Sequence, residues 1–229
     1  MERRKFVNAA MLIGSATALQ ACMGGGLPGG LPMTGGGGDG ASWTDIIKTA
    51  KSTMASAASA AMKATNAMQE MGQAIGFKQE AAITASTIKK IEDGDYGDLA
   101  DVTAASEAYQ ADLVKAMKDK KSWTADEKKA FSKGVTNYAF AMVDVGQGIV
   151  GLITLINQIK GAAQPGLQDI EAIKIAKDIP PLFKVAKANG PNVLKFWGTC
   201  IDYCKTNDIA IPKDAMAAAD GAAGDLNFG

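Results

Sequence analysis

The chain has 229 residues, 24 Lys and Arg against 24 Asp and Glu, and no histidine. That balance gives neither a nucleic-acid footprint nor a polybasic lipid-binding surface. The missing histidine excludes Ser-His-Asp and Cys-His nucleophile pairs, haem held by His and the common zinc sites. Alanine, methionine and the branched aliphatics are plentiful and aromatics few, which favours helices.

Residues Arg3, Arg4 and Lys5 form a short positive start, followed by a mildly apolar stretch from Phe6 to Leu19. That stretch is too short to span a hydrocarbon core comfortably, and it ends in small residues, as an export signal does. Its last four residues are Leu19-Gln20-Ala21-Cys22. They resemble the bacterial lipobox, in which an apolar, a variable and a small residue precede an invariant cysteine. The resemblance covers residues 1–22 and implies a signal peptide over 1–21, diacylglyceryl attachment to the Cys22 thiol, cleavage before Cys22 and acylation of the new N-terminus. Gln20 departs from the small residue usual at its place. Arg3-Arg4-Lys5-Phe6-Val7 also resembles the twin-arginine export pattern, with Glu2 and Asn8 off pattern. The other readings are a general secretory signal and an ordinary signal peptide with a chance cysteine. Met23, not Asp, follows the cysteine, and the sorting rule of Gram-negative lipoproteins then implies the outer membrane. Two or three acyl chains hold a protein firmly where one does not.

The run from Gly24 to Gly40 is GGGLPGGLPMTGGGGDG. Its composition predicts a flexible tether over 22–41, since it offers too little apolar surface to fold. A phosphate-cradling loop needs a Lys-Ser/Thr at P-loop spacing, and none follows.

A first helix is predicted from Ser42, a capping residue with Asp45 in the first turn, to about Gly72–Gly76. It keeps a heptad, with Trp43, Ala50, Ala57, Ala64 and Met71 on one seam and Ile47, Met54, Ala61, Met68 and Ile75 on the other. So much alanine lets a partner backbone approach closely. A second helix is expected over about 78–92, then a loop carrying Asp93, Asp95 and Asp98. Three carboxylates there suit a hard cation, but the calcium-loop pattern with its closing Glu is absent, and a solvated acidic loop is the plainer reading. A third helix spans about 99–118, with Leu99, Val102, Tyr109 and Leu113 on one stripe.

Thr124 and Glu127 form a capping box that starts a fourth helix. Phe131, Val135, Tyr138, Met142, Val145, Ile149, Leu152, Ile156 and Ile159 follow at alternating steps of four and three. This marks a central helix, buried on most sides in its second half. Residues 139–156 are apolar enough to raise membrane insertion, but Asp144 and Gln147 are expensive in lipid and the heptad suits a bundle core. A fifth helix is expected from about Leu167, interrupted or kinked at Pro180-Pro181. Asn189-Gly190-Pro191 breaks the chain again before a sixth segment over about 192–205. The Ala- and Gly-rich tail over 212–229 reads as loose or only locally helical. The fold class is an all-α bundle of five to six helices with antiparallel neighbours, its domain spanning 42–211.

Cys200 and Cys204 are the thiols left to this domain, on one helical face with Val193, Trp197 and Ile201. A disulfide needs Cβ atoms closer than helix neighbours four apart stand, so the choice lies between a strained bridge and two buried thiols. Their spacing is not that of redox catalysts. Asp144, near Gly146, Gly148 and Gly151, and Met142 are weak ligand-site candidates. The plainer reading of Asp144 is a polar edge beside glycines that permit close helix packing. The expected function is a non-enzymatic accessory lipoprotein of the bacterial envelope, needing no cofactor or metal. It would meet the bilayer through acylated Cys22 and an envelope protein through its helices, and bind no nucleic acid. The alternatives are a carrier or sensor taking an apolar small molecule beside Met54, Met68 and Met142, and a membrane-inserting helical protein.

Overall fold

The computed structural model describes residues 41–78 and 99–227. The elements there are α1 (Trp43–Ala74), α2 (Leu99–Asp119), α3 (Ala125–Gly161), α4 (Ile170–Thr206) and α5 (Lys213–Leu226). The bundle is all-α, as the periodicity predicts. The signal and tether expected over 1–41, the helix expected over 78–92 and the loop of Asp93, Asp95 and Asp98 lie outside the described residues, Ala41 and Lys78 apart.

Side-chain caps start three of the helices. The Asp45 amide donates to Ser42 Oγ at 3.2 Å, and the Ala172 amide donates to Asp169 Oδ1 at 3.0 Å. At α3 the capping box is complete: Glu127 N–H donates to Thr124 Oγ1 at 3.2 Å, and Thr124 N–H to Glu127 Oε2 at 2.8 Å. The Lys120 ammonium, 2.6 Å from Glu127 Oε1, and the Thr124 amide hold the Glu127 carboxyl down at about 2. Beyond the end of α1, Gly76 takes φ +77°, the left-handed conformation a glycine adopts without strain.

Helices α1 and α3 pack antiparallel along their whole length. Trp43 Nε1 donates to the carbonyl of Ala163, Lys63 meets Asp144, and Glu70 accepts from Lys133 and Asn137. Glycines of α3 set the approach. A Cβ on Gly134 would come within 2.7 Å of Met71 Cγ, one on Gly151 within 3.1 Å of Thr53 Cγ2, and one on Gly148 within 3.5 Å of Ala57 Cα. Seven of the nine residues of the α3 stripe are buried, Val145 and Ile159 being partly so. Helix α3 is also long and apolar enough to cross a membrane by length and composition, and half of its most apolar window is buried inside the bundle.

Two sequence expectations are corrected. First, the helix expected from about Leu167 and the separate segment expected over about 192–205 are one helix, α4, running through Pro180, Pro181 and Pro191. Pro181 and Pro191 are exposed, so water can satisfy the carbonyls that lose a donor. Buried Ile175, Ile179, Phe196, Trp197, Cys200 and Cys204 tie the helix to the core on both sides of the breaks. Second, the tail is not loose. Helix α5 buries Ala215, Ala219, Ala222 and Leu226, and with Ile209 these close the core cluster around α3 and α4. It runs parallel to α3, from Ala210 beside Ser132 to Asp225 beside Gly146.

Candidate functional site

The alanine seam of α1 meets α3 closely at one level and less closely further along. At Ala57 it faces Gly148 in ordinary contact. At Ala61 and Ala64 the short side chains leave space towards α4, and two hollows result. One, of about 170 Å³, has Met54, Ala57, Leu152, Leu182 and Ala186 among its lining residues. The other, of about 140 Å³, reaches Met68, Tyr138, Glu107 and Gln110. They share Ala61, Val145, Asn189 and Val193, so they form one trench along the α1–α3–α4 junction. The walls are largely apolar; Asn189 stands where the hollows meet, and the other polar side chains line the smaller one. There Asn192 Nδ2 donates to Glu107 Oε1 at 2.9 Å, joining α4 to α2. Burial keeps the Tyr138 phenol protonated well beyond its ordinary range. The chemistry that fits is a small apolar body with its polar end towards Asn192 and Gln110.

Of the methionines expected beside a pocket, Met54 and Met68 line the trench. Met142 lines neither hollow; its side chain is 1% exposed within the core. Asp144 does not face the trench either. Its Oδ2 lies 2.6 Å from Lys63 Nζ, on a largely exposed edge of the α1–α3 interface. Exposed pairs of this kind contribute roughly 0–1 kcal/mol. The neighbouring glycines admit other helices: Gly148 and Gly151 face α1, and a Cβ on Gly146 would lie 3.0 Å from Asp225 Cβ. The sequence reading sets Asn189 in a break and Val193 only on the face of the two cysteines, so neither is expected at a pocket.

Cys200 and Cys204 are free thiols, 0% and 1% exposed. Cys200 Sγ lies 3.9 Å from Met71 Sδ. Of the two readings open for this pair, the structure has buried thiols without a bridge. Burial raises the Cys200 thiol well above its ordinary range, with a further rise from Cys204, and burial lifts Cys204 to about 12. Thiolate is the reactive form, so neither reacts readily. Iodoacetamide at pH 8 is expected to leave both unmodified in the native protein and to modify both in denaturant, as read by mass. Rapid native modification of either would contradict this. The sign for stability follows: below pH 9 both states keep these protons. As pH rises from 9 towards 12 only the unfolded chain releases them freely, so stability falls across that window.

Among the described residues no group of three or more Cys, Asp or Glu side chains is placed to hold a metal ion. No known protein family, curated protein or solved structure matches this chain.

Proposed function

We propose that this chain is a lipid-anchored protein of the bacterial cell envelope. Its helical domain then serves as a non-catalytic accessory module that works through contacts with envelope proteins. The observation that carries the reading is Leu19-Gln20-Ala21-Cys22 behind a positive start and a short apolar stretch, with a glycine-rich run before the first helix. Acylated Cys22 holds the protein to the membrane, the outer membrane by the residue that follows it. Phe140 and Val150, 44% and 43% exposed on the outer side of α3, offer apolar side chains for a protein partner. The test is incorporation of labelled palmitate in the native host. Incorporation into the unsubstituted chain, its loss in Cys22→Ala and release of that variant from the membrane fraction are the expected results. Equal label in both chains, or none in either, overturns the anchor.

A second reading has its own support in the apolar trench lined by Met54 and Met68. Here the domain carries or senses a small apolar molecule, held between adaptable methionine side chains. Pull-down from detergent-solubilised membranes and mass spectrometry of co-purified small molecules discriminate the two. A stoichiometric protein partner favours the first. Purification alone with a bound lipid-like molecule favours the second.

A further inference from the structure

Three large apolar side chains stand in water at one end of the bundle: Leu167 is 94% exposed, Ile170 78% and Ile173 38%. They lie in the α3–α4 connection and the first turn of α4, beside the start of α1. Trp43 Nε1 donates to the carbonyl of Ala163 at 2.8 Å, and Lys51 pairs with Glu171 at 2.6 Å. The chain therefore enters the bundle at the end that carries the patch, twenty residues after Cys22. The carboxylates between the apolar residues are engaged: Asp169 caps α4 and Glu171 faces Lys51. Lys51, Glu171 and Lys174 are exposed beside the patch, and in a headgroup region their charged ends can stay hydrated while the apolar side chains leave water.

The other end differs. Helix α1 has 32 residues, so at ~1.5 Å per residue that end stands about 48 Å away. Its aromatic side chains Trp123, Phe131 and Tyr203 close on one another, while Lys118, Asp119, Lys121 and Asp208 are exposed. The end next to the tether carries exposed large apolar side chains, whereas the remote end turns its large aromatic side chains onto one another.

We propose that Leu167, Ile170 and Ile173 seat in the headgroup region of the bilayer to which Cys22 is attached, so that the bundle stands on the membrane by its tethered end. The inference rests on the reading of Cys22 as acylated. Twenty residues reach at most ~70 Å even when fully extended, which keeps the patch at high local concentration over the lipid surface. Large apolar side chains gain by leaving water there, and the acyl chains supply the attachment that three side chains alone would not.

The test uses the full chain purified from bacterial membranes, carrying Leu167→Cys or, for comparison, Lys121→Cys. Each is labelled with the polarity-sensitive fluorophore nitrobenzoxadiazole, the unsubstituted chain reporting any labelling of buried Cys200 and Cys204. The protein is reconstituted into vesicles of phosphatidylethanolamine and phosphatidylglycerol. A blue shift and loss of emission to a lipid-borne quencher at position 167, with neither at 121, is the expected result. Equal behaviour at the two positions overturns the proposal. So does a shift at 167 that vanishes as protein is diluted into excess lipid, which assigns the patch to a second copy. A shift that appears only when other membrane proteins are added assigns it to one of them and overturns the proposal too. Mass spectrometry of the same preparation separates the two readings. Acylated Cys22 with an unshifted label at 167 sinks the docking alone, whereas unmodified Cys22 sinks the anchor and the docking with it.

Discussion

Truncating Phe131 to alanine is expected to destabilise the fold by about 3–5 kcal/mol, against the ~5–15 kcal/mol that hold a typical domain together. Phe131 is 0% exposed and sits one turn and a half inside the capping box of α3. Its ring centroid lies 5.3 Å from that of Trp123 and 5.4 Å from that of Tyr203, both in tilted or edge-on geometry. Trp123 is itself held from outside, its indole N–H donating to Asn207 Oδ1 at 3.2 Å and Lys120 lying over its ring. The cluster thus joins the α2–α3 connection, α3 and the end of α4. Removing the most buried of the three rings leaves a cavity between parts pinned independently by the capping box and the α4 C-terminus, so collapse around it is restricted. Urea unfolding followed by circular dichroism is the measurement. Phe131→Leu keeps more of the volume and should lose clearly less. Equal, small losses in the two variants would mean that the three-ring cluster is not a unit.

Much of this fold was legible because its strongest signals are local. The capping box at Thr124 and Glu127, the serine cap at Ser42 and the glycine after α1 each act within a few residues, and each lies where the sequence indicates. The α3 stripe was legible because that helix is wrapped by others, so its apolar residues are many and regular. On α1 the heptad caught Ala50, Met54, Met68 and Met71 but missed buried Ile46, Ala58, Ala60 and Ala67. A seam of two positions in seven describes contact with one partner, whereas α1 meets α2, α3 and α4 and buries a wider sector. Alanine also gives little contrast between inside and outside, so periodicity is faint where it dominates.

The errors on α4 came from giving local breakers precedence over periodicity. Ile175, Ile179, Leu182, Ala186, Asn189, Val193, Trp197, Cys200 and Cys204 are spaced three or four apart without a gap. That single stripe runs through all three prolines, and each of its residues is buried or partly buried. Followed through Pro191, it would have placed Asn189 and Val193 on the face that lines the trench. The space at Ala61 and Ala64 was not legible, because alanine marks close approach and open space with the same letter. Only the third helix, arriving from more than a hundred residues away, decides between them.

The stretch around Gly190 sets up the second large effect, in which Gly190→Ala and Leu226→Ala are each expected to destabilise the protein by about 2–3 kcal/mol. In an exposed helix, alanine for glycine stabilises by roughly 1 kcal/mol. Here the opposite sign is expected for two reasons. A Cβ on Gly190 would fall on the carbonyl oxygen of Leu226 and lie 3.4 Å from its carbonyl carbon; being backbone, these cannot swing aside as a side-chain tip would. A Cβ before Pro191 would also meet the proline ring in helical conformation, a clash that glycine avoids and that lets α4 continue through this point. Leu226, 0% exposed, anchors the last turn of α5, and moving it exposes a full leucine side chain, a loss of roughly 1.5–3 kcal/mol. Both substitutions undo one docking event, so the double variant should cost less than the sum of the two. Urea midpoints give the energies, and limited proteolysis of the native protein gives the location. The variants should be cut within 213–226 under conditions that leave the unsubstituted chain whole. Unchanged midpoints together with equal cutting in all three chains would mean that the C-terminal segment is as loose as its alanine and glycine content suggests, and that α5 adds nothing to the core.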